Sequence, residues 1–126
     1  MSKIELDIQN DRLTDIFLPD TELETVVDGL RFLEGPVWHP YDKHLRFSDI
    51  IGNATYQWDE ANGLSIYRPN SHMTNGMTYD LEGRLLSCHH GSSCVTRMDD
   101  DETTALTQAM ALSGQLKGDA PVRTAS

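Results

Sequence analysis

The sequence predicts an all-β fold, a β-propeller fragment of about two four-stranded blades, on three observations. Hairpin signals recur at short intervals along the middle of the chain. The runs between them alternate polar and apolar residues, and they are too short for helices. The pattern also repeats at about 40 residues, the length of a unit made of four short strands.

Residues 1–22 mix charges and aliphatics without a period and are expected to form a poorly ordered lead-in segment. From Leu23 to Leu33 (LETVVDGLRFL) β-branched residues meet a Gly turn, which predicts a short strand near Leu23 to Val27, pairing elsewhere, and then a connection. Val37-Trp38 precede a Pro40-Tyr41-Asp42 turn, and HLRFSDI (44–50) and ATYQW (54–58) alternate. Asn62-Gly63 offers the positive φ angles of a tight hairpin, after which LSIYR (64–68) returns. The order then recurs: Gly76 to Tyr79, a turn at Glu82-Gly83, RLLSCH (84–89), Gly91 and CVTRM (94–98). This is an antiparallel meander. Residues 23–106 are therefore read as the partial propeller and residues 107–126 as a non-homologous tail, irregular or helical after Leu106, with Thr104 to Leu112 the candidate helix.

Superposing the two halves sharpens the repeat. Glu34-Gly35 stands 41 residues before Asn75-Gly76, and Leu45, Phe47, Trp58 and Asp59 stand 40 before Leu85, Ser87, Met98 and Asp99. A propeller closes only with several blades around a channel, so two repeats imply exposed blade edges and self-association through them. The outer face of the second blade is expected to expose apolar side chains.

Ten basic against twenty acidic side chains give a formal charge of −10, which argues against nucleic acid or an anionic membrane as partner. No apolar run approaches the roughly 20 residues of a membrane span, and MSKIELDIQN lacks the basic-then-apolar order of a secretory signal, so a cytoplasmic protein is expected. Cys88 and Cys94, spaced C-x5-C, fit neither a redox pair nor a zinc hook and read as reduced strand residues. All nine aromatics fall within the first 79 residues, and Trp38, Phe47, Tyr56, Trp58 and Tyr67 are expected to pack between blades.

The runs EGPVWHPYDKHLRFSDI (34–50), YQWD, NGMTYDLEGRLLSCHHG (75–91) and VTRMD resemble the first two blades of the gluconolactonase and senescence-marker-protein (regucalcin-like) lactonase family. That resemblance implies a six-bladed propeller that hydrolyses sugar lactones. The next family segment, like GKRLNSPND, should open a third blade, whereas SGQLKGDAP stands here, so the chain is expected to be an N-terminal fragment.

The resemblance also implies a divalent metal ion (Ca, Zn, Mn or Mg) in the channel, with Glu34 as its first ligand. A hard cation takes carboxylate oxygens, and once bound it polarises a lactone carbonyl. Without the resemblance, a Glu before Gly-Pro reads as a solvated loop residue. The other ligands, an Asn and an Asp, belong to later blades, so this chain alone is expected to be inactive. Asn75 holds in the second repeat the place of Glu34 and is a substrate-binding candidate, against the alternative that it only opens an Asn-Gly turn. His89 and His90 point to opposite faces of a strand, so at most one enters the channel; both read as structural or solvent-facing. His39, His44 and His72 read as turn or strand-end residues, and Asp99 to Glu102 as a solvated hairpin tip. The function read is a truncated sugar-lactone hydrolase; the alternative is a non-catalytic propeller remnant, a cation-binding or protein-interaction module.

Overall fold

A computed structural model of the chain describes residues 1–99 and 102–108. Among them there is no α-helix, and no helix is long and apolar enough to cross a membrane. Two four-stranded antiparallel sheets carry the fold. The first follows chain order, β3 (Leu33–His39), β4 (His44–Asp49), β5 (Ala54–Asp59) and β6 (Gly63–Pro69). The second repeats it with β7 (Thr74–Tyr79), β8 (Leu85–His89), β9 (Cys94–Asp99) and β10 (Glu102–Gln108). Short alternating runs separated by turn residues can only pair with their immediate neighbours, which is why each sheet is a meander.

The turns repeat with the strands. Asn53 and Ser93, in the β4–β5 and β8–β9 turns, both sit at left-handed φ, 52° and 49°. The β5–β6 turn differs from the expected Asn-Gly pair: Asp59 pairs with Gly63, and Gly63 alone takes positive φ (71°). Asn62 is held instead by Asp59, whose Oδ1 accepts its backbone and side-chain N–H groups at 2.7 and 2.9 Å.

β3 and β4 lie against β7, so the sheets pack face to face along the first strands. The seam is polar where it is most buried. Ser48, Thr55, Thr74, Ser87 and Thr96 are buried there with Leu85. A slip between Thr55 and Tyr56 in the β5–β6 pairing turns both Tyr67 and Arg68 towards the seam, where the Arg46 guanidinium lies 3.7 Å from the Tyr67 ring centroid.

The other expected interblade aromatics lie elsewhere. Trp38, Leu45, Trp58 and Leu64 pair in a row across the first sheet, and Phe47, Tyr56 and Ile66 in the next row. Alternation puts both rows on the face turned away from the second sheet, with Phe47 stacked on Tyr56 (5.9 Å). Trp38, Leu64 and Ile66 stay 49%, 41% and 58% exposed. Among the described residues, the exposed large apolar side chains carried by the two sheets thus lie on the first, not on the outer face of the second as expected from the repeat.

The lead-in is also more structured than expected. β1 (Ser2–Lys3) pairs antiparallel with β2 (Glu22–Leu23), and a short 3₁₀ turn spans Asp11–Asp15, capped by Asn10, whose side chain accepts from the Arg12 N–H at 3.0 Å. The strand predicted near Leu23 to Val27 is only its first residue with Glu22. At the other end, β10 continues to Gln108, past the boundary placed at 106 and across the start of the helix expected over 104–112. Residues 109–126 lie outside the described residues, as do Asp100 and Asp101 of the acidic run, whose flanks Asp99 and Glu102 pair across the β9–β10 hairpin.

Candidate functional site

The first strand of each sheet carries a bulge at its motif. In β3 the register runs Leu33 to Asp49 and Glu34 to Ser48, then slips before Val37 meets Arg46. In β7 Thr74 pairs with His89, then the register slips before Met77 meets Ser87. A bulge leaves residues unpaired and re-aims their side chains, and here it falls on Gly35-Pro36 and on Asn75-Gly76.

The two bulges touch. Gly35 sits at φ +57°, and a Cβ there would lie 1.9 Å from the Asn75 carbonyl oxygen. Only glycine permits so close an approach of the two backbones. The fully buried Ser48 hydroxyl donates to the same carbonyl at 3.4 Å. Glu34 and Asn75, 41 residues apart in sequence, are thereby held on neighbouring strands at one end of the seam. Glu34 is half-buried and Asn75 exposed. Asn75 lies inside β7, at its bulge, and not at the first position of a turn.

Behind each of these residues stands a buried polar group. The Asp49 carboxylate accepts the backbone N–H groups of Arg31, Phe32 and Gly52, each at 3.0 Å. Burial opposes its charge, but these three bonds hold its carboxyl below the usual carboxylate value. His89 has Nδ1 2.9 Å from the Ser71 carbonyl and 2.9 Å from Thr74 Oγ1, and Nε2 2.7 Å from Thr96 Oγ1. The Thr74 hydroxyl donates its own proton to the Ser71 carbonyl at 2.7 Å. Nδ1 therefore faces two acceptors and must carry the ring proton, and Nε2 accepts from Thr96. Burial pushes the His89 pKa down and keeps the ring neutral.

Glu34 offers the hard oxygens that a divalent cation takes. Among the described residues no three His, Cys, Asp or Glu side chains come together to hold a metal, so Glu34 is at most one ligand of a larger set.

A family model described as SMP-30/Gluconolactonase/LRE-like region matches residues 32–119. The chain belongs to this family. A gluconolactonase of Zymomonas mobilis is 27% identical over 101 residues, covering 70% of this chain and 28% of that protein. A gluconolactonase structure from Xanthomonas campestris superposes with a TM-score of 0.71 at 29% identity, covering 83% of this chain and 36% of that one. A second structure, described as a putative gluconolactonase, gives 0.72 at 27% identity, covering 86% and 37%. The chain thus spans roughly a third of the length of these relatives, and its two sheets are part of a gluconolactonase-type propeller.

Within that family frame the histidines separate clearly. His89, the last residue of β8, is buried in the network above, whereas His90 lies just past the strand in the turn and is exposed. His39 and His44 do more than their strand-end positions predict. His44 Nε2 lies 3.0 Å from the Tyr79 hydroxyl, and the two imidazoles stack at 5.0 Å with His39 edge-on to Tyr79 at 4.7 Å. This cluster joins the sheets at the opposite end of the seam from Glu34. Burial, then the nearby Arg46 and His39, push the His44 pKa down; burial pushes that of Tyr79 up. No motif marks the cluster in sequence. Asp49 and His89 do carry a signal in the sequence, since they align at the repeat spacing of 40. Cys88 and Cys94 are free thiols on β8 and β9.

Proposed function

We propose that this chain carries the first two repeats of a sugar-lactone hydrolase, with Glu34 as one ligand of a divalent cation and Asn75 as a hydrogen-bonding group for substrate hydroxyls. The observation that supports the reading is the joining of the two motif bulges, which brings the backbone of Gly35, next to Glu34, into contact with that of Asn75 at one end of the seam. The reaction adds water to the lactone carbonyl carbon and breaks the ring C–O bond, giving a hydroxy acid and one released proton. A bound divalent ion supplies polarisation of that carbonyl. Glu34 offers the charge that retains such an ion, and Asn75 has both donor and acceptor atoms for a sugar hydroxyl.

One carboxylate does not hold a hard cation against water, so the 126-residue chain alone is expected to give no metal-dependent rate. Acid release from gluconolactone, with Ca²⁺, Zn²⁺ or Mn²⁺, is to be measured for the chain and for its fusion to the remaining repeats of a related gluconolactonase. The fusion should hydrolyse the lactone. Glu34→Gln should lower that rate by orders of magnitude, and Asn75→Ala about tenfold, equivalent to about 1.4 kcal/mol. A fusion whose rate ignores Glu34→Gln overturns the assignment. A second reading, a non-catalytic module that self-associates, is favoured by the exposed Trp38, Leu64 and Ile66 on the first sheet; sedimentation of the chain as a monomer would exclude it.

A further inference from the structure

Asp49 and His89 differ in chemistry but occupy one place in the repeat. Each is the last residue of its strand, β4 or β8, and they pair with Leu33 and Thr74, the residues just before Glu34 and Asn75. Both side chains are almost fully buried, 2% and 5% exposed. Asp49 binds the two amides that lead into β3 and the Gly52 amide of the following turn. His89 binds Ser71 and Thr74, which lead into β7, and Thr96 on β9.

The bulges explain why such groups are needed. On the N-terminal side of the β7 bulge the ladder has one pair, Thr74 with His89; on that side of β3 it has two, Leu33 and Glu34. A strand stub this short is weakly held by its ladder, and the next residues along it are unpaired. A buried, fully hydrogen-bonded side chain that grips the stub from behind restores the constraint. We propose that Asp49 and His89 are equivalent positioning residues, Asp49 fixing Glu34 and His89 fixing Asn75 where the two bulges meet. This rests on the reading of Glu34 and Asn75 as the site.

The test is nuclear magnetic resonance of the isotopically labelled 126-residue chain. Long-range proton–nitrogen spectra should show the His89 proton on Nδ1 and Nε2 bare. Thr96→Val, close in size, removes only the Nε2 partner; it should shift the Asn75 side-chain amide signals and leave the Glu34 carboxyl signal in place. Asp49→Asn should do the reverse, and should speed hydrogen exchange of the Arg31, Phe32 and Gly52 amides by about tenfold or more, the loss of about one charge-assisted hydrogen bond. Asp49→Glu, which retains the charge, takes its place if the Asn variant gives no folded spectrum. Variants that move both site residues alike, or neither, overturn the proposal. A separate Mn²⁺ titration of the fusion to the remaining repeats tests the site itself: no broadening at Glu34 or Asn75 there refutes the metal reading, whereas the assignment of Asp49 and His89 stands or falls on the shifts in the 126-residue chain.

Discussion

Replacing Gly35 by alanine strikes the point where the two repeats meet, and the structure fixes the size of the effect. Two penalties add. Alanine at φ +57° carries a left-handed cost of about 1–2 kcal/mol. Its Cβ would also lie 1.9 Å from the Asn75 carbonyl oxygen, 2.9 Å from the Asn75 carbonyl carbon and 3.1 Å from the Gly76 Cα. All three are backbone atoms, so no side chain can swing away and the β7 bulge itself must move. Overpacking of this kind costs about 1–3 kcal/mol, giving about 2–5 kcal/mol in total. Gly63→Ala is the matched control, since Gly63 has φ +71° but nothing within 4 Å of its would-be Cβ, and it should lose only the conformational part, about 1–2 kcal/mol. Urea unfolding of both variants, followed by tryptophan fluorescence, separates the two penalties. If Gly35→Ala unfolds at the same urea concentration as Gly63→Ala, the repeats are not docked through this contact and the site geometry built on it is wrong.

Stability should be full above about pH 6.5 and fall as the pH drops below it, because His44 and His89 are both held neutral in the fold and take up protons more readily when unfolded. Denaturant titrations across pH 5–8 should show this slope, shallower in His44→Gln; an unchanged slope in that variant removes His44 as a source. Tyr79→Phe deletes the hydroxyl 3.0 Å from His44 Nε2 and should cost about 0.5–1.5 kcal/mol in the same assay, and a neutral result would mean that the His44 contact holds nothing. Ser71→Ala should be neutral or slightly stabilising, since the Ser71 hydroxyl is buried without a hydrogen-bond partner among the described residues while its carbonyl, which binds His89 and Thr74, is kept. A loss of 2 kcal/mol or more, about the cost of stranding a needed buried group, would mean that the hydroxyl has a partner.

Much of the fold was legible because its determinants are local. Strand positions from His44 to Asp59 and from Leu85 to Asp99 follow from alternation and turn residues, and the spacing of 40 to 41 residues made the second sheet a copy of the first. The exceptions share a cause. β2 gets its pairing from Ser2–Lys3, twenty residues away, and no local pattern announces that partner. β10 runs to Gln108 because β9 offers it an edge, and that overrides the helical composition of the stretch.

The sequence by itself determined which residue types stand at the motifs: a carboxylate before Gly-Pro in one repeat, an amide before Gly in the next. It also determined that the two are equivalent. Only the tertiary structure decided how they meet, because the register slips in β3 and β7, the seating of the Asn75 carbonyl against Gly35 and the hydrogen bonds of Ser48 depend on two sheets packing together. The same holds for the direction in which the aromatics face. Alternation names the set Trp38, Phe47, Tyr56, Trp58, but a strand has two sides, and which one meets the second sheet is set by how the sheets dock. Asp49 and His89 mark the division most sharply. Their shared place in the repeat is written in the sequence, whereas a carboxylate and an imidazole can do one task only where folding buries each among the particular backbone and hydroxyl groups that satisfy it.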